Sequence, residues 1–471
     1  MTKNLVFTVA GAAFLNSSVP ADERPNIIIL VSDDHGQEAL GCYGNPVVST
    51  PAIDALAAAG TRFINAFCTA ASSSPSRSAI LTGLHNHANG TYGLTHSFHH
   101  FSAFDNVRTL PAMLNETGYR TGRIGKRHYA PWNIFPFTGG LDPEDEMLYG
   151  RDDILMSEVC RKFINEDGPF FLYWASANPH RRGVVEPNPL KPNAFGNPAK
   201  AYPGDIEQVY SPDDVIVPPF LNDDPETRAE LALYYQAIAR LDRGIAHLFS
   251  ILKDAGKYDN TVIIYISDNG AAFPGSKTTL YDAGIKLPCI VKTPESKSGV
   301  VSDAMITWVD LVPTILDFAG THYDPATFHG KSFRSILNTA SPADWRDEIY
   351  ASHTFHEVTT YYPMRVIRTK KYKFIWNLAA GLSYPFSSDL WSSAAWRPVK
   401  EGRTAMIGLR QANDYLNRPR FELYDLENDP NEIKNLAGLP EYQTLVDEFS
   451  VKTKIFQSAT SDPWLKKWEY E

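Results

Sequence analysis

Apolar runs bounded by polar clusters recur along the chain and predict strands alternating with helices. Residues 26–31 read N-I-I-I-L-V, a continuous apolar stretch of the kind a strand shows when both faces of its sheet are covered. Similar runs predict strands through 63–67, 119–124, 169–177 and 260–266 and near 288–291. Between them a helix is expected over 51–60, with Thr50 as N-cap and Gly60 as stop, and a long helical stretch over 225–256. This alternation argues for an α/β fold: a large, mostly parallel sheet sandwiched by helices. Beyond about residue 330 the pattern changes to short β-rich segments, such as 364–367, 371–376 and 422–426, with Pro, Ser and Trp between them. A smaller C-terminal antiparallel-sheet domain with one packed helix is expected there. The domain boundaries are read as 22–340 and 341–471.

The first 21 residues read differently. Lys3 precedes an apolar run from Leu5 to Leu15, and Val19-Pro20-Ala21 supplies small residues for cleavage before Asp22. The run is too short to span a bilayer, so residues 1–21 are expected to be a signal peptide and the protein to be exported. Composition adds exclusions. Hydrophobic residues at 43% and charged residues at 21% describe an ordinary globular chain, and a net charge of -10 with no basic run excludes a nucleic-acid footprint. Cys42, Cys68, Cys160 and Cys289 lack CxxC spacing, which implies neither a zinc site nor a disulfide framework and leaves one disulfide pairing open.

Candidate chemistry collects at the ends of the predicted strands. The first runs into Ser32-Asp33-Asp34-His35-Gly36, the second-half strand at 260–266 into Ser267-Asp268-Asn269-Gly270, and others into Lys126-Arg127-His128 and Asn178-Pro179-His180. Taken singly, each reads as a strand-to-loop cap. Together they line the carboxyl edge of one sheet, where open α/β sheets place their ligands. Asp33, Asp34, Asp268 and Asn269 offer only oxygen donors, which suit Ca²⁺ or Mg²⁺ and not zinc or copper.

Residues 73–83 read S-S-P-S-R-S-A-I-L-T-G. Pro75 suits the first turn of a helix, which puts Ser73 at the positive end of that helix with Arg77 one turn further in. A nucleophile-sized side chain, a helix N-terminus and an arginine within five residues suit attack on a sulfate or phosphate group. The string resembles the sulfatase motif, (Cys or Ser)-x-Pro-Ser-Arg-x-x-x-Leu-Thr-Gly, at every defined position. The resemblance implies an alkaline-phosphatase-like fold and oxidation of Ser73 to formylglycine, whose hydrate is the nucleophile. It further implies one Ca²⁺ per chain, held by Asp33, Asp34, Asp268, Asn269 and the modified Ser73. Lys126 and His128 match the family's G-K-x-H, and Lys277 matches a cation that contacts sulfate. By the same resemblance His180 is the proton donor to the leaving group, with Lys277 beside it, and His128 is the base in the step that releases sulfate.

Further strings point to one branch. Asn89-Gly90-Thr91-Tyr92-Gly93-Leu94, His99-His100-Phe101, His356-Glu357-Val358-Thr359, Tyr362-Pro363-Met364-Arg365 and Ser461-Asp462-Pro463-Trp464 resemble the heparan N-sulfatases, or sulfamidases. That implies hydrolysis of the N-sulfate of a terminal glucosamine in a sulfated glycosaminoglycan, with His356, Glu357 and Arg365 as contacts to the sugar or its amine. For Glu357 a surface salt bridge, and for Arg365 a structural place in a strand, stand as alternatives.

Two features depart from the branch. The motif opens with serine where its animal members have cysteine, which implies a bacterial maturation enzyme as partner and a periplasmic or secreted location, or a lysosome-like one in a eukaryote. The loop Gly284-Ile285-Lys286-Leu287-Pro288 follows the general sulfatase pattern, which keeps an O-sulfatase or a phosphate- or phosphonate-ester hydrolase open. An unmodified Ser73 would leave a non-catalytic binder of sulfated glycans. No membrane span is expected, and a homodimer is left open.

Overall fold

The computed structural model describes residues 24–141, 151–182 and 193–469; the expected signal peptide, residues 1–21, lies outside them. The large sheet contains, in chain order, β1 (Asn26–Ser32), β2 (Thr61–Phe67), β3 (Arg120–Gly125), β4 (Gly139–Gly140), β5 (Phe170–Ala175), β6 (Thr261–Ser267), β7 (Cys289–Lys292) and β8 (Val300–Thr307). Their spatial order is β4-β3-β5-β1-β6-β7-β2-β8. All pairings are parallel except those of β7, which runs antiparallel to both β6 and β2. The sheet is therefore mostly parallel, as the apolar runs predict.

The continuous apolar run of β1 has its reason in the two cores. Ile27, Ile29 and Val31 enter one core with Phe63, Ile80 and Trp308, whereas Ile28 and Leu30 enter another with Ile53, Leu56 and Leu248. Helices α1 (Pro51–Ala59) and α2 (Ser73–Thr82) thus lie on opposite faces of the sheet. Each of these fully buried aliphatic side chains contributes about 1.5–3 kcal/mol. The strand β8 was not legible in the pattern, because Ser302 and Asp303 interrupt its apolar run.

A second sheet is built from β9 (Glu348–His353), β10 (Met364–Thr369) and β11 (Tyr372–Asn377). After a short ribbon of β12 (Met406–Ile407) and β13 (Arg410–Gln411), β14 (Phe421–Asp425) completes it in the order β14-β11-β10-β9, antiparallel throughout. One face, with Ile367, Phe374 and Leu423, packs on Val446 and Phe449 of the helix Gln443–Ala459. The other face, with Ala351, Val366 and Ile375, joins the core of the large sheet. Successive apolar residues of β10 and β11, Val366 and Ile367 or Phe374 and Ile375, thus enter the two cores in turn, as the pleat of a strand requires.

Two expectations change here. Cys42, Cys68, Cys160 and Cys289 are all free, so the open disulfide pairing is not used. Arg365 is not placed as a sugar contact. It is fully buried in β10, and its Nε and Nη2 donate to both oxygens of Asp462 at 2.5 and 2.8 Å, while its Nη1 donates to the carbonyls of His353 and Met364. Its charge is spent inside the protein. Arg365→Ala would strand the buried Asp462 carboxylate, and a loss of about 3–5 kcal/mol is expected in urea unfolding. A loss below about 1 kcal/mol would show that the pair is not structural.

Candidate active site

The carboxyl ends of β1, β3 and β5 and the N-terminus of α2 converge on one cavity of about 510 Å³, and the turn after β6 lies behind it against Ser73. Asp33, Ser73, Lys126, His128, His180, Lys277, His356 and Glu357 all line it. Parallel strands make this convergence: residues one step past the ends of paired strands in register fall side by side. Ser32 of β1 pairs with Ser267 of β6, so Asp33-Asp34 and Asp268-Asn269 become neighbours.

Ser73 opens α2 as the first residue after the N-cap Ser72. Ser72 does not cap the helix with its side chain; its Oγ lies 2.9 Å from Nδ1 of His356. The unused N–H groups of the first turn and the helix dipole face the cavity, an arrangement that favours anions. Ser73 Oγ lies 3.3 Å from both Asp33 Oδ1 and Asn269 Oδ1. One hydroxyl proton cannot satisfy both acceptors at once. Ligand oxygens of Asp33, Asp34 and Asp268 all lie within 4.8 Å of one another, and all three side chains are fully buried. This all-oxygen donor set fits a hard divalent cation.

Three basic side chains bracket the carboxylates. Lys126 Nζ donates to Asp33 Oδ2 at 2.5 Å, and Arg77 Nε donates to Asp268 Oδ2 at 2.9 Å, with its Nη2 3.6 Å from Asp33. Lys277 Nζ donates to Asp34 Oδ2 at 2.9 Å and to Asp389 Oδ2 at 2.7 Å. Burial raises Asp33, and it pushes Asp34 up to about 7. Burial opposes ionisation of Asp268 too, but Arg77 and then Lys126 hold it below the ordinary range. Burial likewise opposes the charge of Lys277, yet Asp34 and Asp389 keep its pKa above the usual lysine value. His128 and His180 are held neutral by burial and by the neighbouring lysines. His180 Nε2 is 3.8 Å from Asp34 Oδ2, and Nδ1 of His128 is buried without a hydrogen-bond partner among the described residues.

Local backbone geometry aims these groups. Asp34, His128 and Thr278 all take left-handed conformations, with φ of 61°, 47° and 68°. For non-glycine residues each costs on the order of 1–3 kcal/mol, so the surrounding structure must impose it. Gly125 lets the chain turn into Lys126 beside β5; a Cβ there would lie 2.1 Å from the carbonyl oxygen of Ala175.

The fold also brings in residues the sequence did not single out. Asp389 lines the cavity from a Ser-Ser-Asp-Leu turn, its Oδ1 accepting from Ser387 Oγ at 2.5 Å and from Leu390 N at 2.8 Å. No motif marks it, because its partner Lys277 lies more than a hundred residues away. Glu357 Oε1 accepts from Ser388 N and Oγ, so at this position hydrogen bonds stand where a salt bridge was the alternative. His96 stacks on His128 with ring centroids 4.4 Å apart, and Arg151 and Arg182 add positive charge to the wall.

Comparison with known proteins agrees with this geometry. Residues 25–321 match the sulfatase family, and residues 275–383 match the family described as N-sulphoglucosamine sulphohydrolase, C-terminal. The chain is 37% identical to human N-sulphoglucosamine sulphohydrolase over 94% of its own length and 92% of that protein. It is 26% identical to an N-acetylglucosamine-6-O-sulfatase of Bacteroides thetaiotaomicron, over 92% of this chain and 86% of that one. Among solved structures, one described as in complex with its substrate D-glucosamine-2-N,6-O-disulfate superposes with a TM-score of 0.66 at 23% identity, covering 93% of this chain and 99% of the other.

The Asp34–Lys277–Asp389 arrangement makes a prediction of its own. Lys277→Met and Asp389→Asn, made singly and together, should show a coupling energy of about 1–3 kcal/mol in a double-mutant cycle of unfolding free energies. Simple additivity would mean that Asp389 does not hold the lysine.

Proposed function

The chain belongs to the sulfatase family, a hydrolase of sulfate esters or sulfamates, and on that footing we propose that it removes the N-sulfate of a terminal N-sulfoglucosamine. The observation that carries this reading is the match of residues 275–383 to the C-terminal N-sulphoglucosamine sulphohydrolase family, together with 37% identity along nearly the whole chain. In this reading Ser73 is matured to formylglycine by a partner enzyme, Asp33, Asp34, Asp268 and Asn269 hold a calcium ion, and the protein is exported. Among the described residues no helix is long and apolar enough to cross a membrane. When present, formylglycine supplies a hydrated aldehyde as nucleophile and the calcium ion polarises sulfate oxygens.

The chain's own side chains do the rest. The amide groups at the start of α2, Lys126 and Lys277 bind the sulfate oxygens, where charge builds up in the transition state. Burial and the field of these cations keep His128 and His180 neutral, and a bound anionic group offsets the field. His180 then holds a proton at Nε2 for the leaving nitrogen, and His128 stands ready to accept one. Asp389 and Arg77 keep Lys277 and Asp268 in place and charged. His356 and Glu357 form the wall that meets the sugar. A second reading, an O-sulfatase, draws on Gly284-Ile285-Lys286-Leu287-Pro288, which follows the general family pattern.

Two measurements test these points. Peptide mass spectrometry across Ser73 of natively matured protein should show the loss of two hydrogens, and the matured protein should cleave N-sulfoglucosamine in preference to 6-O-sulfated glucosamine, aryl sulfate and aryl phosphonate. Preference for an ester would favour the second reading, and an unmodified serine with no turnover would leave a glycan binder. For the metal, adding Ca²⁺ to chelator-treated protein should stabilise it by about 2.7 kcal/mol at a hundredfold excess over Kd. Asp34→Asn should abolish that response, and its persistence would place the ion elsewhere.

A further inference from the structure

A second cavity, of about 400 Å³, opens at the seam between the two sheets, away from the cavity that holds Ser73. Its walls combine residues next to the large sheet, such as Glu38, Tyr281 and Lys286, with Arg410, Asn431 and Glu432 from the C-terminal part of the chain. Most charges around it are matched. Lys373 is fully buried and pairs with both Asp282 and Glu432, Arg368 Nη2 donates to Asp282 Oδ2 at 3.0 Å, and Arg410 donates to the Tyr424 hydroxyl and the Glu432 carbonyl.

Lys286 is the exception. Its backbone is held by a bridge to Phe67 and a bond to the carbonyl of Asp282, but its half-buried ammonium makes no hydrogen bond or ion pair among the described residues. Glu38 across the cavity does not complete it: among the described residues its carboxyl meets only its own backbone N–H, and burial pushes it up to about 7. Burial disfavours the Lys286 charge, and Asp282, already engaged by Lys373 and Arg368, offsets that only in part, so in a roomy cavity with aromatic walls this ammonium is left to take a further anion.

We propose that this second cavity binds an oxyanion, sulfate or carboxylate, either on a sugar ring or free, with Lys286 as its counter-ion. Phe220, only partly buried, supplies aromatic surface against which a pyranose ring can lie, and the amide of Asn431 adds polar contacts at the wall. The geometry requires no chemistry at this site; it is a binding site, separate from hydrolysis.

The test uses the full-length chain carrying Ser73→Ala, so that no substrate is consumed. Hydrogen exchange and calorimetry would be run with sodium sulfate, glucuronate and a heparin-derived disaccharide. Added ligand should protect residues 281–286 and 407–433, and Lys286→Met should weaken that binding at least tenfold, whereas Lys286→Arg and Lys126→Met should retain it. Protection by sulfate alone would assign a free oxyanion, and protection by the sugars only would assign an acidic saccharide. Should Lys286→Met fail to fold, Asn431→Trp, which fills the wall, must block the same protection. Absence of protection with every probe, or protection that survives Lys286→Met or Asn431→Trp in folded protein, would overturn the proposal.

Discussion

The structure depends on keeping four carboxylates, Asp33, Asp34, Asp268 and Asp389, buried together at one edge of a sheet. In so small and dry a space their mutual repulsion and desolvation would cost many kcal/mol if left unanswered. Arg77, Lys126 and Lys277 answer it in part, each reaching in from a different segment. The remaining demand for positive charge suits the same cluster to a divalent cation, and the cations around it suit the cavity to an anion. The proposed binding of a metal and of sulfate would thus be two outcomes of one electrostatic arrangement.

The rest of the molecule serves that arrangement. The parallel pairing of β1 with β6 and β5 sets the Asp33-Asp34 and Asp268-Asn269 turns, and the start of the loop to His180, at neighbouring strand ends. Helix α2 brings its positive end, with Ser73 and Arg77, to the same place while burying all ten of its residues. The second sheet shares the core of the first and carries His356, Glu357 and Asp389 to the opposite wall. Left-handed backbone at Asp34, His128 and Thr278 is tolerated because packed strands and loops on either side leave those residues no relaxed alternative.

The two loop lysines show how position decides use. Lys277 and Lys286 are nine residues apart, and both follow the Asp268-Asn269 turn. Lys277 enters the charge cluster between Asp34 and Asp389, whereas Lys286, across the bridge to Phe67, faces the seam between the sheets. Nothing in their local composition separates them.

What the sequence alone determined is what short-range pattern can encode: buried strands from continuous apolar runs, the helix that opens at Ser73 from its Ser-Pro-Ser-Arg turn, and oxygen donors and cations at strand ends. These are legible because burial and helix initiation depend on neighbours a few residues away. Tertiary structure alone decided the antiparallel course of β7, the entry of Asp389 into the site, and the withdrawal of Arg365 into a buried pair with Asp462. Each of these turns on a partner far along the chain, reached only once the sheets have packed, and an ion pair's choice among many carboxylates carries no local signature.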